Sequence, residues 1–328
     1  MLATRLALPR AAAAAIAPTT ASFAREAARA GVPVPALVKP PTPAETAKQL
    51  SEWMPRYLTK IGCDQVCAPT LDAVTEMHRG HIRAIPYSTQ RVFMQIRPPT
   101  DAVDADVNVA DAVKSLVDEH NGGYCHEANQ LMHETLKAFG LQTEYLLARM
   151  HLGKDGAPGA RTHLFNRVLI NGQPYLLDVG FGGWGYIDPL PEVINTPIYQ
   201  EVTNEWFRIV EDPAVGRLIQ RKNADGAWAP LYSYQQAPAL PLDIAMGHFY
   251  AFMHSKVAFR RLLLFCAVEE DFTRVSCWGR RHTVKRADGS ETITTITDPE
   301  TVLHNMENYK LSLVASRESI AERLRATW

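Results

Sequence analysis

The sequence has no apolar run approaching 18 residues, so nothing in it reads as a membrane-spanning helix. It has no excess of either charge: the net charge is −1, and no long basic run occurs. That excludes a dedicated nucleic-acid binder, because phosphate neutralisation needs clustered Lys and Arg. It is short of cysteine, with five scattered residues, Cys63, Cys67, Cys125, Cys266 and Cys277. An odd, irregular set does not form a disulfide framework and implies a reducing compartment, in the first instance the cytoplasm. Cys63 and Cys67 are four apart, but no second Cys or His pair completes a zinc site, so no metal is expected. No internal repeat is present. What remains is a chain of 328 residues that is 46% hydrophobic, enough to bury a core in two domains or three small ones.

Composition shifts along the chain suggest four regions. Residues 1–43 are Ala-rich with interspersed Ser, Thr and Arg and no acid before Glu26. Such a segment is either transit-like, which gives a mitochondrial alternative for localisation, or a disordered Ala/Pro extension. Residues 44–140 read as helical. Thr42-Pro43-Ala44-Glu45 opens one helix, Thr70-Leu71-Asp72-Ala73 a second that stops before Pro86, Val107–Val117 is a third, and the stretch after Cys125 a fourth. Residues 141–240 read as strands: Tyr145–Met150, Thr162–Ile170, Tyr175–Phe181, Trp206–Val210 and Leu218–Arg221. Residues 241–328 mix both, with a helix over Leu242–Ser255, strands over Arg261–Ala267, Thr273–His282 and Thr292–Thr297, and a helix opening at Ser319.

One stretch organises the chemistry: Asn121-Gly122-Gly123-Tyr124-Cys125-His126-Glu127-Ala128-Asn129. Apolar residues at Ala128, Leu131, Met132, Leu136 and Phe139 follow at helical spacing, and Gly140 ends the run. Cys125 therefore stands at a helix N-terminus, where free N–H groups and partial positive charge favour a thiolate. The competing reading is an inert core cysteine, since a free thiol packs as a small hydrophobe. The rest of the chain decides between them.

A thiolate nucleophile needs a base, and the base needs an orienting group. Asn171-Gly172 between two apolar runs is a strong signal for a type I′ hairpin. With Ile170 facing Gln173, the register continued along both strands sets Phe165 opposite Asp178 and His163 opposite Gly180. His163 and Asp178 then lie on one face as diagonal neighbours about 7–8 Å apart. A slip of one residue would separate them. Gly180 leaves space for the imidazole. An unpaired carboxylate inside Tyr-Leu-Leu-Asp-Val-Gly-Phe would be costly, which also calls for a partner at Asp178. The other histidines, His78, His81, His120, His126 and His133, are weaker candidates for the base.

These residues resemble the arylamine N-acetyltransferase family over residues 52–320. Four segments carry the resemblance: Leu71–Tyr87 with His78-Arg79-Gly80-His81, Gly122–Asn129, Thr162-His163-Leu164, and Asp178–Gly182. The resemblance implies an α+β fold of a helical bundle, a β-barrel and an α/β lid around a cysteine-protease-like core. It implies ping-pong transfer of acetyl from acetyl-CoA to an arylamine, hydrazine or N-hydroxyarylamine. Cys125 is then the nucleophile, His163 the proton shuttle and Asp178 its orienting group. Phe181 and Tyr87 match the aryl pocket, and Gly159 and Ser255 match or lie near coenzyme A contacts. Small molecules are the expected partners, with neither nucleic acid nor membrane, and no oligomeric state is implied.

The chain departs from the family pattern at three places. Asn121 replaces an Arg that usually pairs with the Glu after the Cys, so Glu127 needs another partner. Tyr87-Ser88-Thr89 replaces Phe-Glu-Asn, and Val257 replaces a serine. A transglutaminase-like or hydrolytic Cys-His-Asp enzyme uses the same residue order and is the main alternative. A binding protein with a vestigial triad is the other.

Overall fold

The computed structural model describes residues 43–64, 68–96, 109–151, 156–182 and 184–328. The N-terminal segment up to residue 42, Cys67, the start of the expected third helix and part of the Gly/Pro loop before His163 lie outside the described residues. Residues 46–328 form one compact unit.

The first half is helical: α1 (Pro43–Lys60), α2 (Leu71–Ala84), the short α3 (Gln90–Phe93), α4 (Val109–Val113) continuing as a π-helical turn over Lys114–Asp118, and α5 (Cys125–Ala138). Thr70 caps α2 as its side chain accepts from the Ala73 N–H, satisfying a donor that the helix leaves free. The apolar faces of these helices share a core with Tyr57, Met77, Leu116, Leu131 and Leu136 at its centre. Against it lies the hairpin of β3 (Arg161–Ile170) and β4 (Gln173–Leu177), contributing Val168, Ile170 and Leu177.

That hairpin belongs to an eight-stranded, barrel-like antiparallel sheet. Its other strands are β2 (Gln142–Met150), β5 (Leu190–Pro191), β6 (Ile198–Gln200), β7 (Glu205–Asp212), β8 (Gly216–Lys222) and β9 (Trp228–Tyr234), in the order β5-β4-β3-β2-β9-β8-β7-β6. Alternation sends Phe165 and Leu176 to the other side of the hairpin, into a barrel core with Leu146, Phe207, Ile219 and Tyr232. The expected register holds, with Ile170 opposite Gln173 and Asn166 opposite Leu177. Asn171 and Gly172 both take the positive φ that a type I′ turn needs.

A five-stranded antiparallel sheet completes the α+β fold: β1 (Tyr87–Ser88), β10 (Leu264–Val268), β11 (Arg274–Trp278), β12 (Arg281–Lys285) and β13 (Glu291–Thr295). The helix α6 (Pro241–Met253) packs against β3, whereas α7 (Pro299–Asn308) and α8 (Arg317–Thr327) share a core with this sheet. The edge strand β1 comes from far upstream and ties the segment before Cys125 to this sheet.

Three sequence expectations change. Thr273–His282 is not one strand but two, broken at Gly279-Arg280, where Gly279 turns with positive φ. The last helix begins at Arg317, two residues earlier than expected, because the Ser316 hydroxyl takes the Ser319 N–H as its cap. The strand expected to run through Phe181 stops at Leu177, for a reason that lies in the site.

Candidate active site

Cys125 is the first residue of α5 and is 5% exposed. Gly122, at φ +66, turns the chain into the helix; a Cβ there would lie 2.6 Å from the Pro86 carbonyl oxygen, so only glycine fits. Glu127 closes the helix entry, its carboxylate accepting from the Tyr124 N–H at 3.1 Å.

Strand β3 brings His163 alongside. Its Nε2 donates to Asp178 Oδ2 at 2.6 Å, and its side chain is also hydrogen-bonded to Cys125, which leaves Nδ1 for the sulfur. Burial works to lower the His163 pKa, yet the Asp178 carboxylate and the contact with Cys125 outweigh it and raise the value to about 10. Asp178 shows the reverse balance. Burial opposes its charge, but His163, the Asn129 amide and the Gly180 N–H hold its pKa below the ordinary carboxylate value.

Asp178 is where β4 ends, and the hydrogen bonds explain why. The N–H of Asp178 donates to His78 Nε2 at 3.0 Å, that of Val179 to Asn129 Oδ1 at 3.1 Å, and that of Gly180 back to Asp178 Oδ1 at 3.0 Å. Side chains replace the strand partner one donor after another. His78 can accept because its Nδ1 donates to the Ile187 carbonyl at 2.5 Å, which fixes a neutral tautomer; burial lowers its pKa. Asn129 also donates to Asp178 Oδ1 at 3.0 Å and to the Leu164 carbonyl at 2.8 Å, so it bolts the cysteine helix to both strands. Gly180 leaves space as expected, but for a different neighbour. A Cβ there would lie 2.5 Å from Cys125 Cα, so the missing side chain admits the cysteine helix, not the imidazole.

Glu127 finds its replacement partner in Arg91 on α3, whose Nη1 donates to Glu127 Oε1 at 2.8 Å. Burial still dominates and raises the Glu127 pKa, with Arg91 opposing. Asn121 instead donates to Glu119 at 2.8 Å. Sequence reading missed Arg91 because nothing local distinguishes one surface-helix arginine from another. It also missed Tyr232, whose ring centroid lies 5.1 Å from that of His163 and which strand β9, itself unexpected, supplies.

Tyr87 and Phe181 line one cleft together with Ile82, Gly182, Cys266 and Asp178. Phe181 meets the His163 ring edge-on with centroids 5.5 Å apart. Gly159 stands just before β3 and against the end of β2, its N–H donating to the Met150 carbonyl at 2.8 Å and its carbonyl accepting from Arg149. Ser255 is exposed just beyond the end of α6. No group of three His, Cys, Asp or Glu among the described residues could hold a metal. No helix among them is long and apolar enough to cross a membrane.

A buried thiol, imidazole and carboxylate in hydrogen-bonded sequence, on an α+β frame of helices and a barrel-like sheet, is the arrangement of enzymes that work through a thiol nucleophile. Residues 70–317 match the N-acetyltransferase family. The chain is 30% identical over 244 residues to the arylamine N-acetyltransferase of Mycolicibacterium smegmatis, covering 72% of this chain and 84% of that protein. It is 30% identical over 182 residues to proansamycin X synthase of Amycolatopsis mediterranei, covering 56% and 67% of the two. The structure of the Mycobacterium marinum arylamine N-acetyltransferase in complex with CoA superposes with a TM-score of 0.73 at 26% identity, covering 83% of this chain and 98% of that one. The chain belongs to the arylamine N-acetyltransferase family.

Proposed function

We propose that this protein moves an acetyl group from acetyl-CoA to an arylamine, hydrazine or N-hydroxyarylamine in two half-reactions, through a thioester on Cys125. The observation that carries the reading is the buried Cys125–His163–Asp178 array, with the thiol at a helix N-terminus and the imidazole held by a carboxylate at 2.6 Å. The family membership and the CoA complex of the M. marinum relative support the acyl donor.

In the first half-reaction the Cys125 thiolate adds to the thioester carbonyl carbon of acetyl-CoA. The C–S bond to coenzyme A breaks, and its sulfur leaves with the proton carried by His163. In the second, the acceptor nitrogen adds to the same carbonyl carbon. Its proton passes to His163, and the Cys125–acyl bond breaks to release the amide. The shift at His163 suits both steps. Part of the upward pull on its pKa comes from Cys125, and acylation neutralises that sulfur. The imidazolium that pairs with the thiolate therefore becomes a better acid as the thioester forms, and the neutral imidazole left once coenzyme A takes its proton is the base for the acceptor. Asp178 keeps the ring oriented throughout.

The cleft of Tyr87 and Phe181, next to His163 and Asp178, is the proposed acceptor pocket. The proposed coenzyme A contacts run past Gly159 and the exposed Ser255-Lys256 pair. In this reading residues 44–140 supply the nucleophile, 141–240 the His–Asp pair, and 241–328 the lid. The buried free thiols of Cys63, Cys266 and Cys277 support a cytoplasmic location.

Incubation with acetyl-CoA and no acceptor tests the proposal by mass spectrometry. One acetyl group should appear on Cys125, be discharged by an arylamine, and be absent from Cys125→Ser. No adduct, with hydrolysis of amide substrates instead, would sink the transferase reading.

A further inference from the structure

The residue after the nucleophile has a buried side chain that the triad does not use. His126 has no solvent exposure, and its Nδ1 lies 3.4 Å from Cys125 Sγ, within hydrogen-bond range for sulfur. Its other nitrogen, Nε2, is buried with no hydrogen-bond partner. Gly247 on α6 lies beside it, where an added Cβ would sit 3.3 Å from Nε2. The sulfur thus has two imidazoles within reach.

The orphaned nitrogen settles the tautomer. A neutral imidazole carries one proton, on Nδ1 or on Nε2. If Nε2 carried it, an N–H donor would be buried without an acceptor, which native structures rarely tolerate. If Nδ1 carries it, only a lone pair is left unpaired, and the N–H points at Cys125. The surroundings keep the ring neutral. Burial pushes its pKa well below 6.5, and the His248 and His163 rings add to that. The groups that face His126 are Tyr124, with centroids 5.4 Å apart, His248 on α6, at 5.3 Å, and the Cys125–His163 pair itself. The Tyr124 hydroxyl pairs with His248 Nδ1, so neither of these atoms is a partner of His126.

We propose that His126 donates its Nδ1–H to the Cys125 sulfur and is a second donor holding the thiolate, beside the His163 imidazolium. The proposal rests on Cys125 being the nucleophile. A hydrogen bond is worth more to an anion than to a neutral thiol, so the bond favours the ionised, attacking form. It also aims the sulfur lone pairs, with the two imidazoles fixed by separate elements, α5 and β3.

Alkylation of Cys125 by iodoacetamide, followed by mass spectrometry from about pH 5 to 9, reads this directly. His126→Phe keeps a ring of similar shape and removes the donor. His126→Asn places an amide N–H where Nδ1 stood. The His126→Phe rate profile should move to higher pH by about one unit, equal to about tenfold less labelling on the acid side. His126→Asn should recover most of the shift. A purely structural role would change stability or the plateau rate without moving the profile, and the amide would not rescue it. Superimposable profiles for parent and both variants would overturn the proposal while leaving Cys125 as the nucleophile. A parent Cys125 that resists labelling at every pH would overturn this proposal and the proposed function together. Should His126→Phe fail to fold, His126→Gln takes its place, because its longer amide cannot sit at the Nδ1 position. A displaced profile in that variant supports the donor, and an unmoved one refutes it.

Discussion

Gly180→Ala is the most exacting test of the site's construction. The new methyl carbon would lie 2.5 Å from Cys125 Cα, 2.7 Å from Asn129 Nδ2 and 3.1 Å from Cys125 Cβ. Two of the three obstacles belong to the residue that must not move. Ordinary contact begins near 3.4 Å, so the Cys125 backbone has to retreat by roughly 0.9 Å or the Asp178–Gly180 segment must. Either movement stretches the sulfur–imidazole contact, because Asp178 anchors His163 and sits two residues from the substitution. Overpacking of this kind costs about 1–3 kcal/mol in stability, and a displacement near 1 Å costs on the order of 100-fold in rate. Pre-steady-state acetylation of Cys125, followed by mass spectrometry, should therefore slow by about two orders of magnitude while the protein remains folded at 25 °C. Acetyl-CoA binding, measured separately with a Cys125→Ser background, should change far less. A Gly180→Ala variant that acetylates at the parent rate would refute the placement of α5 against this segment.

The other predictions concern charge. His163 has a folded-state pKa raised from 6.5 to about 10, so its contribution to stability is complete below about pH 6.5 and is lost as pH rises toward 10. Thermal melts of parent and His163→Gln should converge across that window, and a constant gap would contradict the shift. Arg91→Ala leaves Glu127, 7% exposed, without its cation, a change that costs about 3 kcal/mol for a pair of this burial. Urea denaturation should show that loss, and adding Glu127→Gln should return part of it; a loss below about 0.5 kcal/mol would mean that the pair is dispensable.

The sequence made the His163–Asp178 hairpin legible because its determinants are local. Asn171-Gly172 fixes the turn, the turn fixes the register, and the period of two then puts His163 and Asp178 on one face. The helix behind Cys125 was legible for the same reason, through a period that repeats within a few residues. The end of β4 was not, since Asp178, Val179 and Gly180 give their donors to His78, Asn129 and Asp178 itself, and two of those acceptors sit on separate helices. Strand β9 went unseen because Trp228–Tyr234 carries Pro230 in its interior, at the place where its register with β8 shifts.

Arg91 shows the same limit from the side of function. The sequence states that Asn121 cannot pair with Glu127, and burial states that Glu127 must have a cation or give up its charge. Neither says which of the chain's arginines arrives. The answer depends on α3, a four-residue helix that β1 fixes in place by pairing with β10, nearly 180 residues downstream. Ser88, where the family carries a glutamate, lies in that same β1 strand. In this chain one buried carboxylate meets one nearby guanidinium, and the helix entry that carries Cys125 is closed by that pair.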